Sequence, residues 1–80
     1  MIDIYTKVDC SYCMQAKAYM HKHQIAYNEH VIGRDLTREE FLEKFPQAKT
    51  VPLVFLDNRL LGGYINLVEH FGGENKKVAK

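Results

Sequence analysis

No stretch of the 80-residue chain is apolar for long enough to cross a bilayer. Its first residues, Met1-Ile2-Asp3-Ile4-Tyr5-Thr6-Lys7, lack the basic start and apolar core of a secretory signal. The expectation is a protein kept in a reducing cytoplasm, away from membranes. Charge of one sign is lacking as well: 11 Lys and Arg against 10 Asp and Glu leave a net charge of +1, which points to no nucleic-acid partner. Lys76, Lys77 and Lys80 make a short basic tail that Glu74 dilutes, and such a tail is ordinarily just solvated. There are no repeats and no low-complexity tract. A hydrophobic fraction of 46% and a charged fraction of 26% are those of an ordered globular chain, and 80 residues make one domain, residues 1–80.

Cysteine is scarce, and its placement is informative. Cys10 and Cys13 are the only two, separated by Ser11-Tyr12. A bridge between them would close too short a ring to remove much chain entropy, so a structural staple gains little there. In a reducing compartment such a pair points to redox catalysis or metal binding.

Periodicity places the pair. Ile2, Ile4 and Thr6 alternate with Asp3, Tyr5 and Lys7, the period of a strand. From Ser11 to about His23, Cys13, Ala16 and Met20 form the buried stripe of a helix. The cysteines therefore stand where a strand hands over to a helix. Residues Ile25 to Val31 read as a second strand, with Ile25, Tyr27 and Glu29 on one side and Ala26, Asn28 and His30 on the other. Thr37-Arg38-Glu39-Glu40 is a capping-box sequence with Leu36 and Phe41 as a hydrophobic staple, which predicts a short helix from Arg38 to about Phe45, ended by Pro46. Leu53-Val54-Phe55-Leu56 and Arg59-Leu60-Leu61 flank Asp57-Asn58 and predict a hairpin. Tyr64, Leu67, Val68 and Phe71 share one face of a last helix that Gly72-Gly73 should terminate, leaving Glu74 to Lys80 polar and frayed. Phe41, Phe45 and Phe71 are expected in the core. The order β-α-β-α-β-β-α gives an α/β fold: a four-stranded mixed sheet with three helices packed on it.

Thiol–disulfide exchange needs a reachable thiolate and a second thiol close enough to attack the mixed disulfide. Cys10, expected exposed at the helix start, has free backbone N–H groups and Lys7 to lower its pKa into a range of roughly 3.5 to 7.5, while Asp9 opposes them. Cys13, one turn in on the apolar face, suits the resolving role. Two other readings stay open: small buried hydrophobes, and a zinc site. The second would draw on His21-Lys22-His23, but residues two apart on a helix point to different faces. His30 and His70 are isolated. Thr50-Val51-Pro52, before an apolar strand, suits either a trans bond at a strand start or a cis bond in a tight turn.

Together, Tyr5-Thr6-Lys7 before Cys10-Ser11-Tyr12-Cys13, Thr50-Val51-Pro52 before the hairpin, and Gly62-Gly63-Tyr64 at the last helix resemble a dithiol glutaredoxin. The likeness extends over nearly the whole chain. It implies a thioredoxin-like fold and a glutathione-dependent oxidoreductase acting on protein disulfides and glutathione mixed disulfides. By that resemblance Cys10 is the nucleophile, Cys13 the resolving thiol and Pro52 a cis-proline. Val51 would lend its backbone N–H and C=O to glutathione, with Lys7, Tyr12 and Thr50 lining the groove and Ile65-Asn66 meeting the glutamyl end. Arg34 or Arg38 is a further candidate for a glutathione carboxylate. Partners would be glutathione and disulfide-bearing client proteins, ribonucleotide reductase among them, with the chain a monomer.

Two departures from the family pattern carry consequences. Ser11 stands where the family usually has proline, a replacement associated with members that hold an iron–sulfur cluster between two subunits, so a cluster carrier using Cys10 and glutathione is one alternative. Asn66 stands where an aspartate is common, which implies weaker glutathione binding. A redoxin reduced by thioredoxin reductase is another alternative. No tightly bound cofactor and no metal are expected in the leading reading.

Overall fold

Alternation along β1 (Ile2–Lys7) separates the two faces of the sheet. The computed structural model describes residues 1–78, with side chains described through residue 72. After β1 come α1 (Ser11–Lys22), β2 (Tyr27–Ile32), α2 (Arg38–Lys44), β3 (Leu53–Leu56), β4 (Arg59–Gly62) and α3 (Tyr64–Val78). This is the order expected from the sequence. β1 pairs parallel with β2 and antiparallel with β3, giving the strand order β2-β1-β3-β4.

Ile2, Ile4 and Val54 turn one face of the sheet toward Ala16 and Met20 of α1 and Leu67 of α3, and these six side chains form the buried core. The opposite face is aromatic. The Tyr5 ring lies 5.6 Å from that of Phe41, 5.0 Å from Phe45 and 6.0 Å from Phe55, and His30 stacks on it at 4.6 Å.

Local signals fix the connections. The capping box forms as predicted: the Glu40 amide donates to the Thr37 hydroxyl at 3.0 Å, and the Thr37 amide to the Glu40 carboxylate at 2.7 Å. Asp57 and Asn58 take left-handed backbone with φ of 50° and 69°, the turn that joins Leu56 to its partner Arg59.

Three expectations need correction. β2 starts at Tyr27 and not at Ile25, because the Ile25 amide donates to the Met20 carbonyl at 2.8 Å and Gln24 turns the chain with φ of 58°. α3 runs through Gly72-Gly73 to Val78, so residues 74–78 are helical. A glycine costs about 1 kcal/mol inside a helix, which the following helix-compatible residues Glu74 to Lys77 tolerate. Ala79 and Lys80 lie outside the described residues, as do the side chains of the basic tail. Phe71 is 40% exposed, not core; periodicity tells which side of a helix faces inward, not how far the core reaches along it. Among the described residues, no helix is long and apolar enough to cross a membrane.

Candidate active site

β1 delivers the chain to a Val8-Asp9 turn in which Asp9 has φ of 61°, a left-handed conformation that aspartate tolerates better than most residues. Cys10 follows in extended backbone as the N-cap of α1: its carbonyl accepts from the Met14 amide at 3.1 Å and its sulfur from the Cys13 amide at 3.1 Å. Capping geometry and the three-residue spacing thus bring the cysteines together. They form a disulfide with the Cα atoms 5.2 Å apart. Ser11 is exposed at the first position of the helix.

Cys13 is 1% exposed, as the apolar stripe implied. Cys10 is only 9% exposed, against the expectation of an open cap. Bridging draws its sulfur toward Cys13, and the Val51 carbonyl oxygen lies 3.8 Å from it on the other side. The Val51-Pro52 peptide is cis, with Pro52 buried.

Six residues singled out in the sequence, Tyr12, Thr50, Val51, Pro52, Ile65 and Asn66, line one hollow of about 350 Å³. Gly63 and Tyr64 complete it. Tyr64 was not among the candidates, although its ring faces that of Tyr12 across 6.1 Å; its place beside the glycine pair was the available signal. Lys7 does not line this hollow. It borders an adjoining one of about 460 Å³ that shares Thr50 and Val51 and also takes Arg38 and Lys49. Among the described residues the three charged ones there are all cations, which suits an anionic group. Arg34 does not line it and pairs with Asp35 at 3.2 Å.

Asn66 has a structural task that its position did not reveal. Its side-chain oxygen accepts from the Gly63 amide at 3.0 Å, satisfying a donor at the start of α3. Gly62, with φ of 126°, passes so near that a Cβ there would collide with the Asn66 side chain.

Near the end of β1, Thr6 is 1% exposed and donates to Glu29 at 2.7 Å, while Lys17 of α1 pairs with the same oxygen at 2.9 Å. Burial raises the Glu29 pKa, but hydrogen bonds from Lys17 and Thr6 and the charges of Lys17 and Arg34 outweigh it, leaving the carboxyl below its ordinary value. Asp35 is held low by the Val31 amide and then by Arg34.

Among the described residues, no group of three or more His, Cys, Asp or Glu side chains comes together to hold a metal ion. His21 bonds with the Tyr27 hydroxyl and His30 with Asp3.

A disulfide at the start of the first helix, faced by a cis-proline that leads into an antiparallel hairpin, on a four-stranded mixed sheet, defines a thioredoxin-fold dithiol protein. Comparison with known proteins narrows that class. The family profile for glutaredoxin matches residues 2–61, and the chain belongs to the glutaredoxin family. It is similar to glutaredoxin 3 of Escherichia coli, with 34% identity over 62 residues that cover 78% of this chain and 75% of that protein. It is 40% identical over 65 residues to glutaredoxin 1 of Rickettsia conorii, covering 78% of this chain. The matched stretch spans 63% of the length of that relative. The crystal structure of glutaredoxin 1 from Francisella tularensis superimposes with a TM-score of 0.74 at 29% identity, covering 99% of this chain and 96% of that one.

Proposed function

We propose that the chain is a glutathione-dependent thiol–disulfide oxidoreductase that reduces protein disulfides and glutathione mixed disulfides in a reducing cytoplasm. The observation that carries this reading is the Cys10–Cys13 disulfide beside the hollow of Tyr12, Thr50, Val51, Pro52, Ile65 and Asn66.

In this reading the thiolate of one glutathione attacks the Cys10 sulfur; the S–S bond breaks and Cys13 leaves, taking up a proton. A second glutathione thiolate attacks the glutathionyl sulfur, releasing glutathione disulfide and the Cys10 thiolate. Cys10 then attacks a client disulfide, one client sulfur leaves as a thiol, and Cys13 displaces the other while the Cys10–Cys13 bond re-forms. Two electrons pass from two glutathiones to the client. The free N–H groups at the start of α1 stabilise Cys10 as nucleophile and leaving group. Val51 would pair its backbone with the cysteinyl part of glutathione, the start of α3 with Asn66 would meet the glutamyl carboxylate, and Lys7 with Arg38 the other carboxylate.

The test is reduction of a glutathione mixed disulfide coupled to glutathione reductase, run in parallel with thioredoxin reductase as the electron source. Turnover with glutathione alone supports the reading. Turnover with thioredoxin reductase alone replaces it with the redoxin alternative. Ribonucleotide reductase, offered as oxidised client, is the first protein substrate to try.

Ser11 favours a second reading, an iron–sulfur cluster carrier. One chain offers two thiols and, among the described residues, no other clustered ligands, so a cluster would need Cys10 opened from its disulfide plus thiolates from glutathione and a second copy. Anaerobic reconstitution with iron, sulfide and glutathione tests it; a coloured dimer supports the carrier.

A further inference from the structure

The hollow that serves the disulfide is not the largest on the molecule. A neighbouring one of about 630 Å³ shares Thr50, Pro52 and Gly63 with it and opens over the aromatic face of the sheet. Its floor is apolar: Phe45 and Phe55 lie 4.8 Å apart, with Leu53 and Leu60 beside them. Leu60 is 60% exposed and sits opposite Phe55 on β4, the outer strand of the sheet. Among the described residues its charged lining residues are Lys44 and Lys49, and no acid lines it. Among the described residues neither lysine forms an ion pair; Lys44 lies over the Phe45 ring at 6.0 Å.

We infer that this hollow docks a segment of the client polypeptide bearing an apolar side chain flanked by acidic residues, next to the disulfide to be reduced. The inference rests on the oxidoreductase reading above and names the class of client. Three features select that occupant. Aromatic floor and exposed Leu60 give an apolar side chain a place to leave water. Lys44 and Lys49, with no ion pair and no acid beside them among the described residues, favour negative charge there. The free edge of β4 offers backbone N–H and C=O groups to an extended chain, which a small disulfide lacks the length to use. Because Thr50, Pro52 and Gly63 line both hollows, a segment seated here holds its own cysteines near Cys10 and raises their effective concentration.

The experiment compares two synthetic peptides with the same disulfide loop, one followed by a tail of Asp, Leu, Glu and Phe, the other by a tail of Gly, Ser and Lys. The wild type should reduce the first with kcat/KM about tenfold higher. Leu60→Asp and Lys44→Glu should each erase most of that preference while turnover of the glutathione–cysteine mixed disulfide stays unchanged, which also shows that the variants fold. Equal kcat/KM for both tails, or a preference that survives Leu60→Asp, overturns the docking proposal. A wild type that reduces neither peptide nor the small mixed disulfide defeats the oxidoreductase reading itself.

Discussion

The backbone amide of Cys13 donates to the sulfur of Cys10 at 3.1 Å, so the residue that caps α1 is also one of the two that form its disulfide. In the proposed mechanism this cap would serve as an anion site: N–H groups with no helical partner converge where negative charge would develop when the S–S bond opens. The other sulfur enters the core with the apolar stripe of the helix. One turn of helix thereby makes two chemically identical side chains unequal.

That inequality predicts selective alkylation. Reduced protein treated briefly with iodoacetamide at mildly acidic pH should carry the label on Cys10, with Cys13 spared by its burial. Peptide mapping by mass spectrometry reads the ratio, and comparable labelling of both residues would contradict the assignment of roles.

Asn66 predicts a gain of affinity. Asn66→Asp keeps an oxygen for the Gly63 amide and adds a charge at the start of α3, whose first turn has no acid. The change should stabilise the helix by about 0.3 to 1 kcal/mol. An exposed ion pair with the glutamyl ammonium is worth about 0 to 1 kcal/mol, so KM for glutathione should fall by up to about fivefold while kcat changes little.

Glu29 predicts an acid limb to stability. Its folded pKa lies below the ordinary 4.5, so as pH falls the unfolded chain binds the proton first. The stability this group contributes is fully present above that ordinary value and is lost as pH drops through the folded one. Urea midpoints between pH 6 and pH 3 should therefore fall less steeply in Glu29→Gln than in the wild type. At neutral pH the same variant should cost about 1 kcal/mol, because Thr6 and Lys17 lose a charged acceptor.

Gly62 predicts a local failure with a functional consequence. Gly62→Ala forces a side chain into left-handed backbone and against Asn66, costing about 1 to 3 kcal/mol. Displacing Asn66 from the Gly63 amide also disturbs one wall of the hollow, so KM for glutathione should rise. Gly33→Ala, with φ of 97° but open space around it, should destabilise less and leave KM unchanged.

Where a local pattern has a local cause, the sequence was legible. The Thr37–Glu40 box, the Asp57-Asn58 turn and the placement of Cys10 at a helix start each depend on a few adjacent residues, and each formed as expected. What escaped depends on distant ones. Arg38 and Lys7 border one hollow because β1 ends and α2 begins at the same rim, and spacing along the chain does not encode that meeting. Covering of Cys10 depends on Val51, 41 residues away. Continuation of α3 past Gly72-Gly73 turned on the balance between a glycine cost and its neighbours, not on a stop signal. The resemblance supplied the cis geometry of Pro52, for which the residues alone left both isomers open.

The most direct measurement of the central claim is the mass of Cys13→Ser and Cys10→Ser after incubation with glutathione disulfide. Cys13→Ser should gain one glutathionyl group on Cys10, lose it to added glutathione, and turn over glutathione mixed disulfides. Cys10→Ser should gain none and be inactive. A stable adduct on Cys13 with retained turnover in Cys10→Ser would contradict the account.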